Sequence, residues 1–371
     1  MYLYNKIKIL LITIVMFLLA GCGGGVSSLV DDYSGEIIDT QTYDGTIQQG
    51  KIIDISTGEP LSNVEVSIGD ITTTTDQQGV YELSGLISSD NKIITFKHND
   101  CYLNSKIIDI QKYSEGTTFS PNYIEVALDK YDDVQNSDSQ LQKLWNVNFG
   151  LNIEGDSYID INGDSYSGDV IAKVAYEDVS TEKGLEIFPG AFEGIDTNGI
   201  LVPFQSYGFF VIDLENNVGN KLDISKDATL TFYNVNSTTL DTIPLWYYDY
   251  EQGMWVEEGF ATRLADGNYE GTISHAGTWS LSAPIESSPG IYTGRIVYPD
   301  GTPVPNLRVY AIGDNWIRSD LSTDDNGMFE IEVIPNQDFG LKAYHTINKY
   351  EASYTGTLAA IASGEVVKER S

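Results

Sequence analysis

Apolar and polar residues alternate along most of the chain from about residue 46 onward, in short runs that predict strands separated by polar turns. Lys51-Ile52-Ile53-Asp54 opens a strand, Ser56 to Leu61 supplies turn chemistry, and Val64, Val66 and Ile68 then alternate with Glu65 and Ser67. Thr75-Asp76-Gln77-Gln78-Gly79 is a tight turn, because aspartate bonds nearby backbone amides and glycine accepts a positive φ; Tyr81 and Leu83 resume the alternation. The pattern returns near the C-terminus, where Gly294-Arg295-Ile296-Val297 opens a strand and Asp300 to Pro305 turns. Leu307, Val309 and Ala311 alternate next, Thr323 to Gly327 turns again, and Phe329, Ile331 and Val333 follow. Between the two segments Val170, Ala172, Val174 and Tyr176 alternate, as do Phe210, Ile212 and Leu214, and then Leu230 and Phe232. Gly163-Asp164, Asn216-Asn217 and Asp266-Gly267 mark turns among them. The expectation is an all-β chain of tandem β-sandwich domains.

Pro60 aligns with Pro303, Asn63 with Asn306 and Gly79 with Gly327. A single offset of this size describes a duplicated module around an insert, since solenoids repeat every 20 to 50 residues or so. Both segments resemble the carboxypeptidase regulatory-like domain, which implies a seven-stranded prealbumin-type β-sandwich, an accessory unit that brings no catalytic residues. The expected division is a signal over 1–21, a tether over 22–45, the first module over 46–130, a larger β-rich middle domain over 131–286 and the second module over 287–371. The second copy stops at Glu369-Arg370-Ser371, soon after its last expected strand, which predicts a missing edge. In the middle domain, Leu245 to Asp249, Gly253 to Gly259 and Tyr269 to Trp279 hold three of the five tryptophans, expected to staple that domain's core.

At the N-terminus, Lys6 and Lys8 precede an apolar run from Ile9 to Ala20 broken only by Thr13. This is the layout of a secretory signal, and the run falls short of the roughly 20 residues of a membrane span. Leu19-Ala20-Gly21-Cys22 resembles the lipobox of bacterial lipoproteins, which implies cleavage before Cys22, a diacylglyceryl thioether on its sulfur and an acylated new terminus. Two or three chains make such an anchor effectively permanent, as each buried CH₂ contributes about 0.8 kcal/mol. Gly23, where that family uses Asp to retain proteins at the inner membrane, implies the outer membrane. The following stretch, with three glycines, Asp31 and Asp32, reads as a flexible tether spanning about 27 Å on average.

Charge narrows the partners. Loss of Lys6 and Lys8 with the signal leaves 19 basic against 54 acidic residues, about −35. Such a surface repels phosphate backbones and excludes nucleic acid as a partner, while a protein or glycan ligand stays open. With Cys22 lipidated, Cys101 is an odd thiol, which removes an internal disulfide and, lacking a second cysteine or histidine at ligand spacing, reads as packed.

Candidate chemistry is sparse. Asp160, Asn162 and Asp164 suggest a calcium loop, but its sixth and twelfth positions hold Ser165 and Ile171 where an EF-hand wants Gly and Glu, and a hairpin turn explains the same residues. Ser274-His275 resembles the end of autoproteolysis-inducing domains, yet Gly277 stands where the nucleophile belongs and Thr278 is one place further, on the opposite strand face. Lys51 and Glu82 invite an intramolecular amide cross-link without a matched asparagine. His98, His275 and His345 are isolated in sequence, and no metalloprotease, hydrolase-elbow or nucleotide-binding motif occurs. The reading is a non-catalytic, cofactor-free, lipid-anchored protein of the cell envelope, with a glycan-binding lipoprotein as the alternative.

Overall fold

Alternation sets the strands and glycine turns set their ends. The computed structural model describes residues 46–110, 123–137, 143–235, 238–285, 287–298, 300–304, 308–318, 323–324, 326–345, 350–353 and 358–368; Cys22, the tether and the lipobox lie outside them. At seven places among the described residues a residue's amide donates to the carbonyl four positions on, and the glycine between them donates back: the turns opened by Asp76, Asp160, Asp196, Asn216, Leu264, Tyr298 and Asp324. The glycines of these loops take φ between +72° and +92°, the left-handed conformation that closes a three-residue hairpin.

The N-terminal sandwich consists of β1 (Thr46–Asp54), β2 (Glu65–Ile68), β3 (Ile71–Thr74), β4 (Val80–Leu86), β5 (Ser89–Lys97), β6 (Asn104–Ile110) and β7 (Tyr123–Leu128). One sheet has the order β4-β1-β7, with β1 antiparallel to β4 and parallel to β7, and the other runs β3-β2-β5-β6. Ile52, Val64, Val66, Tyr81, Leu83, Ile94 and Phe96 close a core between them.

The middle domain follows with β8 (Asp133–Ser137), β9 (Lys143–Trp145), β10 (Phe149–Asn152), β11 (Tyr158–Asp160) and β12 (Val170–Glu177), then α1 (Glu182–Ile187). Thr181 caps this single helical turn-and-a-half by accepting the Gly184 amide at 3.0 Å. Strands β13 (Glu193–Ile195), β14 (Leu201–Asn216), β15 (Lys221–Ile224), β16 (Ala228–Phe232), β17 (Thr242–Asp249), β18 (Met254–Arg263), β19 (Tyr269–Ile273) and β20 (Gly277–Pro284) complete it. All thirteen belong to one hydrogen-bonded sheet that folds around its own core, helped by register shifts at Ser206/Phe209 and Pro244/Trp246.

The C-terminal sandwich repeats the first strand for strand. Its β21 (Gly290–Arg295), β22 (Arg308–Gly313), β23 (Trp316–Arg318), β24 (Met328–Val333), β25 (Gly340–His345), β26 (Tyr350–Ser353) and β27 (Val366–Lys368) form sheets ordered β24-β21-β27 and β23-β22-β25-β26. The missing edge expected from the sequence is therefore corrected: β27 pairs parallel to β21 as β7 pairs to β1. Small details recur too. Ile52 and Ile296 each bond the turn glycine's carbonyl and accept from Leu61 and Val304, Thr75 and Thr323 hydroxyls bond the carbonyls of Leu61 and Val304, and Pro60 and Pro303 bridge to Ile53 and Val297. A Cβ on Gly79 would lie 2.4 Å from the Ile52 oxygen and one on Gly327 2.3 Å from that of Ile296, so both copies need glycine for space as well as for φ.

Two cores meet in the middle sheet. On β14, Phe210, Ile212 and Leu214 face the domain's interior, whereas Phe204, Phe209 and Val211 face a second core. That second core also contains Tyr102 and Ala127 of the first sandwich and Tyr292, Val309, Trp316, Phe329 and Phe339 of the last. The tryptophans split in the same way. Trp279 fills the interior, while Trp246 and Trp255 leave it for the shared core, because strand alternation turns them to the opposite face from Leu245.

Candidate functional site

Two features stand at the junction of the first sandwich with the middle domain: an open cleft and a buried cluster of charges. The cleft, about 570 Å³, lies between Leu103 and the ends of β11, β14, β15, β17 and β20, and its polar lining includes Asp160, Asn162, Asp213, Lys221, Asp223, Tyr247 and Tyr250. Asp213 accepts from the Tyr131 hydroxyl and from Lys221 Nζ at 2.5 Å. Asp223 Oδ1 takes the amides of Ile224 and Ala276 at 2.7 Å. Tyr250 donates to the Leu103 carbonyl at 2.6 Å and pairs with the Thr278 hydroxyl at 3.0 Å. Three carboxylates against one lysine make the cleft a set of hydrogen-bond acceptors suited to hydroxyl-bearing or cationic groups and hostile to anions.

Asp160, Asn162 and Asp164 sit on the rim, in one of the seven repeated turns. Asp160 Oδ1 accepts the amides of Asn162 at 2.8 Å and Asp164 at 3.0 Å, and these bonds hold its carboxyl below the usual range. Asp76, Asp196, Asn216 and Asp324 bind the corresponding amides of their own turns, so the carboxylate there is already spent on shaping a hairpin. No group of three or more His, Cys, Asp or Glu among the described residues is arranged to hold a metal ion.

The other sequence candidates are separated. His275 Nε2 lies 3.0 Å from Glu258 Oε2 and its Nδ1 3.1 Å from the Ala276 carbonyl; the hydroxyl of Thr278 goes to Tyr250 instead. Cys101 is buried, and desolvation with nearby Asp54 pushes its thiol up to about 12, far from thiolate reactivity. Glu82 accepts from Gln49 on an exposed face, and Lys51 pairs through its backbone with Val80. His98 Nδ1 accepts the Asp100 amide at 3.3 Å, and His345 belongs to β25.

Sequence reading missed the charge cluster, whose members come from distant parts of the chain. Asp54 ends β1, Asp129 and Lys130 follow β7, Glu177 ends β12 and Lys183 lies on α1. Lys130 Nζ meets Asp54 Oδ2 at 2.7 Å, and Lys183 Nζ lies 2.5 Å from Asp129 Oδ2 and 3.4 Å from Glu177 Oε2. Around them Tyr102 donates to Glu177 Oε1 at 3.3 Å, Asn104 to the Ile187 carbonyl at 3.2 Å and Lys106 to the Phe188 carbonyl at 3.1 Å. Asp54 is drawn down by Lys130 and by the Ser56 and Thr57 amides, whereas burial and the bond to Asp129 push Glu177 up to about 8.

Neither a protein-family model nor a curated protein matches the chain. Among solved structures it is similar to the Bacillus anthracis TIE protein at 12% identity and a TM-score of 0.18, over 87% of this chain, which spans half (50%) of that one. The major pilin subunit BcpA of Bacillus cereus matches at 9% identity and a TM-score of 0.18, over 88% of this chain and 98% of the pilin. The major pilin SpaD of Corynebacterium diphtheriae matches at 8% and 0.20, over 88% and 97%. Scores this low carry nothing over to this chain beyond its being rich in strands.

Proposed function

We propose that this chain is a non-catalytic protein of the bacterial cell surface, anchored in the outer membrane by palmitate-type chains on Cys22 and displaying its β-domains as one rigid binding or adhesive unit. The observation that carries this reading is the second core, which runs through all three domains and fixes their relative orientation. Spacers joined by loose linkers would not bury Trp246, Trp255 and Trp316 in common apolar surroundings. The resemblance of the two sandwiches to an accessory domain agrees with a role in binding rather than turnover. Palmitate labelling tests the anchor: wild type should carry label into the membrane fraction and Cys22→Ser should not, and label surviving that substitution defeats the proposal.

One observation favours a second reading, glycan binding. The cleft offers acceptors in Asp213 and Asp223 beside the ring of Tyr247, the groups that hydrogen-bond and flank a neutral or amino sugar. Binding on a polysaccharide panel that disappears in Tyr247→Ala would support it, and silence across the panel would remove it.

A further inference from the structure

We propose that Lys183 and Asp129 are joined by an intramolecular isopeptide bond that locks the first sandwich to the middle domain. The geometry is that of an amine held against an acid. Lys183 Nζ lies 2.5 Å from Asp129 Oδ2, so its nitrogen is close to the roughly 3 to 3.5 Å from the carboxyl carbon at which bond formation starts. The side chains of Asp129 and Glu177 are 7% and 5% exposed. Their burial makes the two carboxyls costly to keep charged, while Asp129 and Glu177 hold the Lys183 ammonium above its usual range until its proton is handed across the pair.

The remaining groups fit the steps. Lys183 passes a proton to Asp129 Oδ2, and the freed nitrogen lone pair attacks Cγ. The carbonyl oxygen that gains charge is Oδ1, on which the Ser56 hydroxyl donates at 3.2 Å. Glu177 is the second carboxyl at the same nitrogen, hydrogen-bonded to Asp129, oriented by Tyr102 and kept protonated near neutrality by its burial. Its proton goes to the leaving Oδ2 hydroxyl, and its carboxylate takes the surplus proton from the nitrogen. The Nζ–Cγ bond forms, the Cγ–Oδ2 bond breaks, and one water departs with no oxidant or cofactor. The exposed part of Lys183, 43% of its side chain, leaves that water a way out.

The neighbouring pair is an internal contrast. Lys130 and Asp54 approach at 2.7 Å, but Asp54 accepts the amides of Ser56 and Thr57 and is held ionised below the usual range. The groups that bond Asp54 include no second carboxyl to carry a proton, and that pair stays ionic.

Peptide mapping of the full-length, denatured protein decides the matter. The expected product is a branched peptide containing Asp129 and Lys183, lighter than its two strands by one water, absent from Lys183→Arg and from Glu177→Gln. Two linear peptides of unmodified mass from folded wild type overturn the proposal. So does loss of water confined to a linear Asp129 peptide, which marks a cyclic imide. A branch persisting in Lys183→Arg would overturn the assignment of the lysine, and one persisting in Glu177→Gln would overturn the proton-carrying role.

Discussion

The two outer sandwiches share strand order, pairing direction and turn chemistry, yet they contribute unequally to the core they share with the middle domain. The first closes a core of its own, adds Tyr102 and Ala127 to the shared one, and otherwise meets its neighbour through polar and charged side chains, with Asn104, Lys106 and Asp129 reaching Ile187, Phe188 and Lys183. Among the described residues the last has almost no private core. Tyr292, Val309, Trp316, Phe329 and Phe339 are continuous with Phe192, Phe204, Trp246 and Trp255 of the middle domain, and among the described residues only Val304 and Ala343 form a separate cluster. One topology thus serves as a self-sufficient domain at one end and as a layer of a larger core at the other. What distinguishes them is where the apolar side chains of the outer faces point.

The largest consequence concerns folding alone. Residues 46–130 expressed by themselves should give a cooperative thermal transition with a β-type circular dichroism spectrum, since their core is internal. A chain lacking 287–371 should lose the cooperative transition of the middle domain or aggregate, because the apolar area left exposed is worth about 25 cal/mol per Å². A stable middle domain without its C-terminal neighbour would erase the distinction.

Point substitutions grade the same contrast. Trp255→Ala, which empties a stacked site beside Phe188 and leaves the Pro189 carbonyl without its indole donor, should cost about 3 to 5 kcal/mol and lower the middle and C-terminal transitions together. Phe96→Ala, in the private core, should cost a similar amount of about 3 to 5 kcal/mol in the first sandwich alone. Urea titration followed by segment-resolved hydrogen exchange separates the two outcomes.

Smaller effects come from the buried amides at the seams. Asn315 donates through Nδ2 to the Ser206 carbonyl at 3.1 Å while its own carbonyl accepts the Ser206 amide at 3.2 Å. Asn315→Ala should cost about 1 to 3 kcal/mol by stranding the Ser206 oxygen. Asn104 has a buried Oδ1 with no partner among the described residues and one bond to Ile187, so Asn104→Ala at the other seam should cost less than Asn315→Ala. The reverse order in thermal melts would contradict the polarity assigned to the two junctions.

Local chemistry accounts for what could be read from the chain beforehand. Gly79 and Gly327 report a φ and a close backbone approach that no other residue meets, and Val64, Val66 and Ile68 report a half-buried face, so turns and strands were visible. The pairing of the final strand was not, because Val366–Lys368 is three residues long and joins β21 in parallel, without a hairpin to announce its partner. The shared core was hidden for another reason. Phe209-Phe210-Val211-Ile212 is apolar on both faces, and such a run says that a strand is covered twice without saying by what. Asp129, Glu177 and Lys183 carry no joint signal either, since only the docking of α1 against the end of β7 brings them together.

Titration offers the finest discrimination between the seams. Glu177 holds a proton in the folded protein up to about pH 8, against an ordinary value of 4.5, so between these limits the folded state binds more protons than the unfolded one. Stability carried by this group is complete below pH 4.5 and is lost as pH rises toward 8. Burial, the leading cause, acts whether Asp129 is free or amidated. The turn carboxylates respond in the opposite direction: Asp160 and Asp324 are held low by backbone amides, and their contribution fades only in acid, as pH falls through their folded values. The bonds at the C-terminal seam join uncharged groups, Ser206 with Asn315 and Gln205 with Gln337. Hydrogen exchange at β6 should therefore quicken between pH 4.5 and 8, after correction for the intrinsic rate, while that at β22 and β24 should not change. Glu177→Gln, neutral at every pH, should flatten the β6 response, and a slope that survives it would place the titrating group elsewhere.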